Sequence, residues 1–268
     1  MASHRDSRGY AGRDPSEDGE EEPRSGARAE AGATSKGLRP LAWITLLGVA
    51  WGQSSLLIGT LSSPAPATVG QAVAIEVSGL LTVVYVLSFR AWAPRLVGRA
   101  RRNAVLLGVA NAAIVQLIFV SCQAAVGAEG VAVHPNPFLA LVVTMPWFAG
   151  VVWLFLRAHH RWRFSVPAVL LLGGLYQAGV DWLLAGVLLG GAPIGPAIVL
   201  LLAVYFWQFV VVYSSIVLPP ALLIRTTPAP EHAPGSRWAD AVFPLGWLLP
   251  YAMYLVVVLS LLAGEGTG

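Results

Sequence analysis

Two carboxylic acids interrupt the apolar segments of this 268-residue chain, Glu76 in one segment and Asp181 in another. Placing an acid inside a bilayer costs about 3 kcal/mol on insertion scales, so such residues usually mark function. Desolvation favours the neutral form of a carboxyl. A neutral acid in a dry site can serve as a general acid or as a proton carrier. The alternative is a structural hydrogen bond between helices.

Glutamines accompany both acids at similar positions along their segments. Glu76 and Asp181 each lie about two helical turns from the same end of the predicted bundle, so we expect them in one layer. Gln53 and Gln116 fall at a comparable depth. Gln177 precedes Asp181 by four residues and therefore faces the same way. The sequence predicts one polar cluster that holds both acids, although glutamines also serve simply to link membrane helices.

Aromatic residues with polar tips are frequent near the acids. In the last apolar segment Trp247, Tyr251 and Tyr254 recur at helical spacing. Desolvated aromatic faces stabilise cations by about 2 kcal/mol. An acid among such faces suits protonation of an alkene or epoxide, followed by stabilisation of the carbocation. Packing alone is the alternative. The candidate substrate-binding residues are Gln53, Gln116, Tyr176, Gln177, Trp182, Trp207, Trp247, Tyr251 and Tyr254.

Several familiar chemistries lack their residues in this sequence. There is no aspartate-rich motif for a metal-bound diphosphate, and no Gly-x-Ser-x-Gly or His-Glu-x-x-His. The single cysteine, Cys122, permits neither an internal disulfide nor a cysteine metal site. His159 and His160, beside Arg161, are interpreted as a solvated basic edge. We therefore predict neither a metal nor a cofactor.

Composition decides the class of protein. Hydrophobic residues make up 56% of the chain and charged residues only 12%, about half the usual charged share of a soluble domain. This excludes a soluble globular protein and a nucleic-acid binder. We predict an all-α, polytopic membrane protein with a bundle of seven transmembrane helices. The predicted spans are residues 41–61, 69–89, 103–123, 137–156, 165–189, 196–218 and 241–263.

The chain divides into three predicted parts, and its charges orient them. Residues 1–39 are predicted to be a disordered cytoplasmic tail, residues 40–264 the membrane domain, and residues 265–268 a short C-terminal tail. With seven spans, all 17 Lys and Arg fall on one side of the membrane. The positive-inside rule then places the N-terminus in the cytoplasm and the C-terminus outside.

Small residues and prolines predict local features of the bundle. The pairs Gly48 with Gly52 and Gly186 with Gly190 have the spacing that lets two helices approach closely. Pro146, Pro244 and Pro250 are expected to kink their helices and to free backbone carbonyls that need other donors.

A chain of this size, with seven spans and a glutamate in the second, resembles the small integral membrane terpene cyclases of fungal meroterpenoid and actinobacterial terpenoid pathways. The resemblance covers residues 40–263 in architecture, and Glu76 matches the acid of the second span. The fungal pattern has a further acid near the last span, which is absent here, so Asp181 would take that role from the fifth span. The resemblance implies metal-free cyclisation of a linear prenyl chain, started by protonation.

The leading hypothesis is a proton-initiated terpene cyclase in a bacterial cytoplasmic membrane, with Glu76 and Asp181 as catalytic acids. Its partners would be the lipid bilayer and a hydrophobic isoprenoid. Arginines between spans two and three and between spans four and five are candidates for holding a diphosphate or another polar head group. A proton-coupled transporter and a non-catalytic membrane subunit remain the alternatives. Nothing in the sequence indicates the oligomeric state.

Overall fold

The computed structural model describes residues 24–181, 196–228 and 235–264, which form helices joined by turns and loops, and it describes side chains within 40–181, 203–228 and 235–261. The chain divides into two compact units, residues 1–39 and 40–268, and the bundle belongs to the second. The helices are α1 (Arg24–Ser62), α2 (Pro66–Leu87), α3 (Phe89–Leu96), α4 (Ala100–Val126), α5 (Pro137–Trp162), α6 (Val166–Asp181), α7 (Pro196–Arg225), α8 (Arg237–Val242) and α9 (Leu248–Gly264).

The helices confirm an all-α polytopic membrane bundle. Within the described residues, six apolar stretches are long enough to cross a bilayer: Pro40–Ser62, Pro66–Leu87, Phe89–Val126, Pro137–Trp162, Ala203–Arg225 and Arg237–Leu261. The shorter apolar helix α6 corresponds to the predicted fifth span, whose remainder, 182–189, lies outside the described residues. The α1 backbone is already helical from Arg24, where the sequence predicts a disordered tail. For residues 1–23 the disordered tail stays a prediction, and so does the short C-terminal tail at residues 265–268, because both ranges lie outside the described residues.

Helix α7 forms the centre of the bundle and extends beyond its predicted end at residue 218. Every residue from Val212 to Ala221 is buried, and the helix continues through Pro219 and Pro220 to Arg225. Pro219 has no N–H for the carbonyl of Ser215 four residues earlier. The side chain of Asn111, from α4, donates to that carbonyl at 2.7 Å. The backbone bond lost at Pro219 is thus replaced from a neighbouring helix, which helps α7 to continue past this proline.

The described arginines gather at one end of the bundle, called here the arginine end. Arg163, which caps α5 with a left-handed φ of 46°, donates to the carbonyls of Ile224, Thr227 and Pro228 after α7. Arg225 returns the contact by donating to the carbonyl of Phe164. Because these bonds tie the α5–α6 turn to the end of α7, the arginine-bearing connections must lie together.

Glycines on α1 confirm one of the two predicted close helix contacts. Gly48 and Gly52 are buried beneath the indole of Trp207 on α7, and a Cβ on Gly52 would lie 2.5 Å from the Cβ of Trp207. Any larger residue would push the helices apart. The second pair, Gly186 and Gly190, lies outside the described residues.

The last span is interrupted as its prolines predict. Helix α8 passes into a 3₁₀ turn, Phe243–Trp247, that contains Pro244, and α9 begins at Leu248. Pro250 lies in the first turn of α9, where no intrahelical partner for its missing N–H would exist. The interruption therefore falls at Pro244 rather than at Pro250.

Candidate functional site

A cavity of about 250 Å³ lies at the end of the bundle opposite the arginine end. It is enclosed by α2, α4, α6 and α7 and by the loop between α4 and α5. This size is slightly below the usual range of small-molecule sites, about 300–1,000 Å³. The lining residues are Gln71, Ile75, Val115, Gln116, Phe119, Val131, Ala132, Val133, Gln177, Asp181, Tyr205, Gln208, Phe209, Val212 and Tyr213.

Asp181 is the only acid among the described residues that line this cavity. Its Oδ1 accepts a hydrogen bond from Nε2 of Gln177 at 2.6 Å, so the predicted i to i+4 pair is formed. The side chain of Asp181 is exposed to the cavity rather than packed. The Oε1 atom of Gln177 is buried without a partner among the described residues. Gln177 binds one carboxyl oxygen, and the other has no hydrogen-bond partner among the described residues.

Three further glutamines contribute amide groups to the cavity wall. Gln116 from α4 was among the predicted residues, whereas Gln71 from α2 and Gln208 from α7 were not. Gln116 and Gln208 are both buried. The available signal for Gln208 was a lone amide within the uncharged sixth span. Gln71 could have been found from its spacing, because it precedes the lining residue Ile75 by one helical turn.

The loop between α4 and α5 forms one wall of the cavity and is fixed by side-chain amides. Gly127, with φ of 62°, ends α4 in the left-handed conformation that glycine allows. The Oε1 atom of Gln123 then accepts from the backbone N–H groups of Val131 and Ala132 at 3.1 and 2.8 Å. Gln71 donates to the carbonyl of Gly130 at 3.2 Å. These bonds hold the apolar residues 131–133 over the cavity.

The aromatic walls differ from the predicted ones. Tyr205, Phe209 and Tyr213 from α7 and Phe119 from α4 line the cavity. The ring of Tyr213 stacks on Phe148 with a centroid distance of 5.6 Å. Residues 205, 209 and 213 recur every four positions, so the helical stripe in the sixth span was the usable signal.

Glu76 does not reach this cavity, which corrects the prediction of one cluster with both acids. The side chain of Glu76 is exposed on the outside of the bundle, where its Oε1 accepts from Nε2 of Gln53 on α1 at 2.8 Å. Ile75 lines the cavity, and the next residue on a helix points about 100° away. The depth of the two acids along their helices did not determine the face on which each lies.

The predicted aromatic residues of the last span also serve another purpose. Tyr254 donates to the carbonyl of Val142 at 2.7 Å, and Tyr251 donates to the carbonyl of Val143 at 3.2 Å. Trp247 donates to the carbonyl of Pro146 at 2.9 Å. The Val142 carbonyl is the one left without a backbone donor by Pro146. Tyr254 therefore supplies the donor that α5 lacks because of Pro146, Tyr251 and Trp247 add bonds to two neighbouring carbonyls of α5, and none of the three lines the described cavity.

The remaining predicted residues lie away from the cavity or outside the described part of the chain. Tyr176 is buried against Phe155 and donates to the carbonyl of Ala241 at 2.6 Å, which ties α6 to α8. Trp207 packs on the α1 glycines. Trp182 lies outside the described residues.

His159 corrects the interpretation of a solvated basic edge. The side chain has no exposed surface, and its ring stacks between Phe155 and Phe164 at centroid distances of 5.7 and 6.1 Å. Its Nε2 donates to the carbonyl of Ala221 at 3.2 Å. His159 therefore packs α5 against α7, while His160 is only partly buried. The charged neighbours in the sequence concealed the inward face of this turn.

No protein-family model, curated protein or solved structure matches this chain.

Proposed function

We propose that the chain is a membrane-embedded terpene cyclase in which Asp181 starts the reaction by protonating a linear isoprenoid. The observation that supports this most directly is the Asp181 carboxyl at the wall of a cavity that is lined by aromatic and aliphatic side chains together with four glutamines. The proposal follows the expectation from sequence, but it assigns the acid to Asp181 alone, because Glu76 faces away from the cavity.

The proposed step conserves atoms and charge. Asp181, in its carboxylic acid form, gives its proton to a terminal alkene carbon or an epoxide oxygen as the π bond or the C–O bond breaks. The carbocation accepts electrons from an internal alkene, and a new C–C bond closes the ring. A proton then leaves the carbon next to the final cation and returns to the Asp181 carboxylate. Tyr213, Phe209 and Phe119 present aromatic rings that stabilise the cation by about 0.5–2 kcal/mol each.

The substrate that fits this cavity is a neutral isoprenoid whose head group stays at the same end of the bundle. No Lys or Arg is among the described lining residues. Asp181 lies fifteen residues from the start of α6 at the arginine end, which is about 22 Å along a helix. The eleven carbon–carbon bonds along a C15 chain span at most about 17 Å. A farnesyl chain alone is about 5 Å shorter than this distance, so a head group held by the arginines would let the chain reach the acid only if the head group and the arginine side chains cover the remainder.

Product formation in heavy water tests the proposal. The full-length protein in nanodiscs is incubated in D₂O with a farnesyl-type alcohol or its terminal epoxide, and cyclic products are analysed by gas chromatography and mass spectrometry. With the alcohol, whose terminal alkene carbon is protonated, we expect carbon-bound solvent deuterium in the cyclic product; with the epoxide, whose oxygen is protonated, the measurement is the yield of cyclic product. General acid catalysis contributes about 10²–10⁴-fold to a rate, so Asp181→Asn is expected to lose at least about 100-fold. Glu76→Gln is the matched control and is expected to stay within twofold.

The outcomes separate the alternatives. Undiminished cyclisation by Asp181→Asn contradicts the proposal. Movement of the isoprenoid across sealed vesicles that requires a pH gradient and Asp181, without any cyclic product, identifies a transporter instead. A folded protein that shows neither activity in wild type favours a non-catalytic subunit.

We also propose that the chain resides in a bacterial cytoplasmic membrane with its arginine end facing the cytoplasm, and this rests on the positive-inside rule. In a Cys122→Ser background, Glu129→Cys in the α4–α5 loop should react with an impermeant maleimide on intact cells. Arg99→Cys should react only after lysis. The opposite pattern would reverse the orientation.

A further inference from the structure

A second cavity, of about 220 Å³, lies at the arginine end between α4, α5 and α7. Basic side chains form one part of its wall: Arg101 from α4, and Arg157 and His160 from α5. Apolar residues form the rest: Val105, Trp153, Leu156 and Ile224. None of the described lining residues is acidic. The cavity is separate from the Asp181 cavity, because the two share no lining residue.

The basic and apolar parts of this cavity are ordered along the membrane normal. On α4, Arg101 comes first and Val105 lies one turn deeper in the membrane. On α5, which runs the opposite way, Trp153 lies deeper and Arg157 follows one turn nearer the end. Residues four apart share one helix face. Both helices therefore present cations at the surface and apolar groups directly beneath, which matches an amphiphile with an anionic head.

The cations of this cavity have no carboxylate partner among the described residues. Arg101 contacts the Nε2 atom of His160 at 2.9 Å, and this nitrogen must accept the bond, so the contact brings no negative charge. Asp240, a described acid at the same end, already binds Arg161 at 2.9 Å and the indole of Trp162 at 2.6 Å. Burial lowers the pKa of the Arg163 guanidinium, and the charges of Arg225 and Arg101 lower it further. The described lining of this cavity therefore carries positive charge without a compensating acid.

We propose that this cavity binds the phosphate of an anionic membrane phospholipid, with Arg101 and Arg157 as its donors and the acyl chain beside Trp153. Arginine binds phosphate oxygens through its fork of N–H groups, and basic cavities between membrane helices are known to take such head groups. Trp153 is 51% exposed and faces the surrounding bilayer. Free phosphate would use the same arginines but would gain nothing from Trp153.

Lipid retention measured by native mass spectrometry tests this proposal. The full-length protein is purified, equilibrated with equal amounts of phosphatidylglycerol and phosphatidylcholine, and released from detergent in the instrument. Each basic residue near a membrane surface contributes about fivefold to the binding of anionic lipid. We therefore expect the double variant Arg101→Gln, Arg157→Gln to bind phosphatidylglycerol about thirtyfold more weakly. The double variant Arg95→Gln, Arg99→Gln removes the same charge at the same end from two exposed residues that do not line this cavity, and it is expected to stay within about twofold, because these side chains would not contact the bound lipid.

Two further variants and a measurement of inorganic phosphate binding complete the test. Trp153→Ala is expected to weaken lipid binding while leaving any binding of inorganic phosphate unchanged. Arg101→Lys with Arg157→Lys keeps the charge and is expected to retain most of the lipid, which guards against simple misfolding. Equal retention of the two lipids by wild type, or equal losses in the two glutamine pairs, overturns the proposal. Binding of inorganic phosphate as tight as that of the lipid assigns the cavity to a soluble anion instead.

Discussion

The two intramembrane acids lie in opposite surroundings. Asp181 accepts a hydrogen bond from Gln177 of its own helix and faces a cavity inside the bundle. Glu76 accepts one from Gln53 of a different helix and faces outward. Each acid has a glutamine as its partner, yet one pair leaves a carboxyl oxygen toward a cavity and the other ties two helices together. The presence of an acid in a span therefore does not by itself indicate a functional role. What distinguishes the two acids is whether the glutamine comes from the same helix or from another one, and whether the carboxyl faces a cavity or the outside of the bundle.

The peripheral position of α1 explains the second pair. Of the membrane part of α1, only Thr45, Gly48 and Gly52 are buried, so this helix has little packing to hold it against the bundle. The bond between Gln53 and Glu76 adds a specific link at the same surface. For Glu76 we therefore favour the structural role, and for Asp181 the chemical one.

Moving the acid within the cavity provides the largest expected effect. In the exchange variant Gln177→Glu, Asp181→Gln, the carboxyl shifts by one helical turn but still lines the cavity. Relative to Asp181→Gln alone, which we expect to lose at least about 100-fold, the exchange should recover at least tenfold of the cyclisation rate. If Asp181→Gln alone keeps its cyclisation rate, and that rate is lost when Glu76 is also replaced, Glu76 rather than Asp181 is the catalytic acid. Product yield in D₂O is the measurement.

Overpacking the α1 contact should separate the two regions. Gly52→Leu places a side chain where the Cβ of Trp207 already lies, and such insertions cost about 1–3 kcal/mol. We expect the free energy of unfolding in mixed micelles to fall by that amount, while the Asp181 cavity keeps its activity. An unchanged unfolding free energy for Gly52→Leu would show that α1 does not pack in this way.

The aromatic side chains of the last span should behave as structural donors. Tyr254→Phe removes the hydrogen bond to Val142, and we expect a loss of about 1 kcal/mol in unfolding free energy. In a Pro146→Ala background the backbone N–H returns, so the same change should cost much less. Cyclisation should stay within twofold. A tenfold loss of activity with unchanged stability would return Tyr254 to the list of substrate contacts.

The smallest effect is expected at the outer acid. Hydrogen bonds between membrane helices contribute about 0.6 kcal/mol on average, so Glu76→Leu should lower the unfolding free energy by about that much. Glu76→Gln keeps a partner for Gln53 and should be nearly neutral. A loss of several kcal/mol from Glu76→Gln would mean that the carboxylate, rather than any hydrogen-bonding group, matters at this surface.

The helices of the bundle were largely predictable from sequence because their signal is local. Long uncharged runs fix where a span lies, and the basic residues fix which connections share an end. Gly48 and Gly52 predicted a close helix contact because two glycines four residues apart leave room on one helix face for a neighbouring helix. The sixth span was predicted to end at residue 218, whereas α7 continues through Pro219 and Pro220, and Asn111 of α4 supplies a donor for the carbonyl that Pro219 frees.

The site was less predictable because it depends on helix rotation. Asp181, Gln177 and Gln116 were identified and line the cavity, since polar residues in an apolar run are few. Glu76 was placed with them because depth can be counted along a helix, whereas the face turns by about 100° with each residue. The donors to the α5 carbonyls could not be recognised, because a tyrosine beside a cavity and a tyrosine beside a proline kink have the same sequence pattern.

The two proline-kinked helices differ in when their missing hydrogen bonds can form. The carbonyl freed by Pro219 in α7 is bonded by Asn111 of α4, a helix that the ribosome has made earlier. The carbonyl freed by Pro146 in α5 is bonded by Tyr254 of α9, which is made later. During synthesis α7 therefore enters the membrane with its partner already present, whereas α5 must wait. The bundle acquires its full set of internal bonds only when α9 has been inserted.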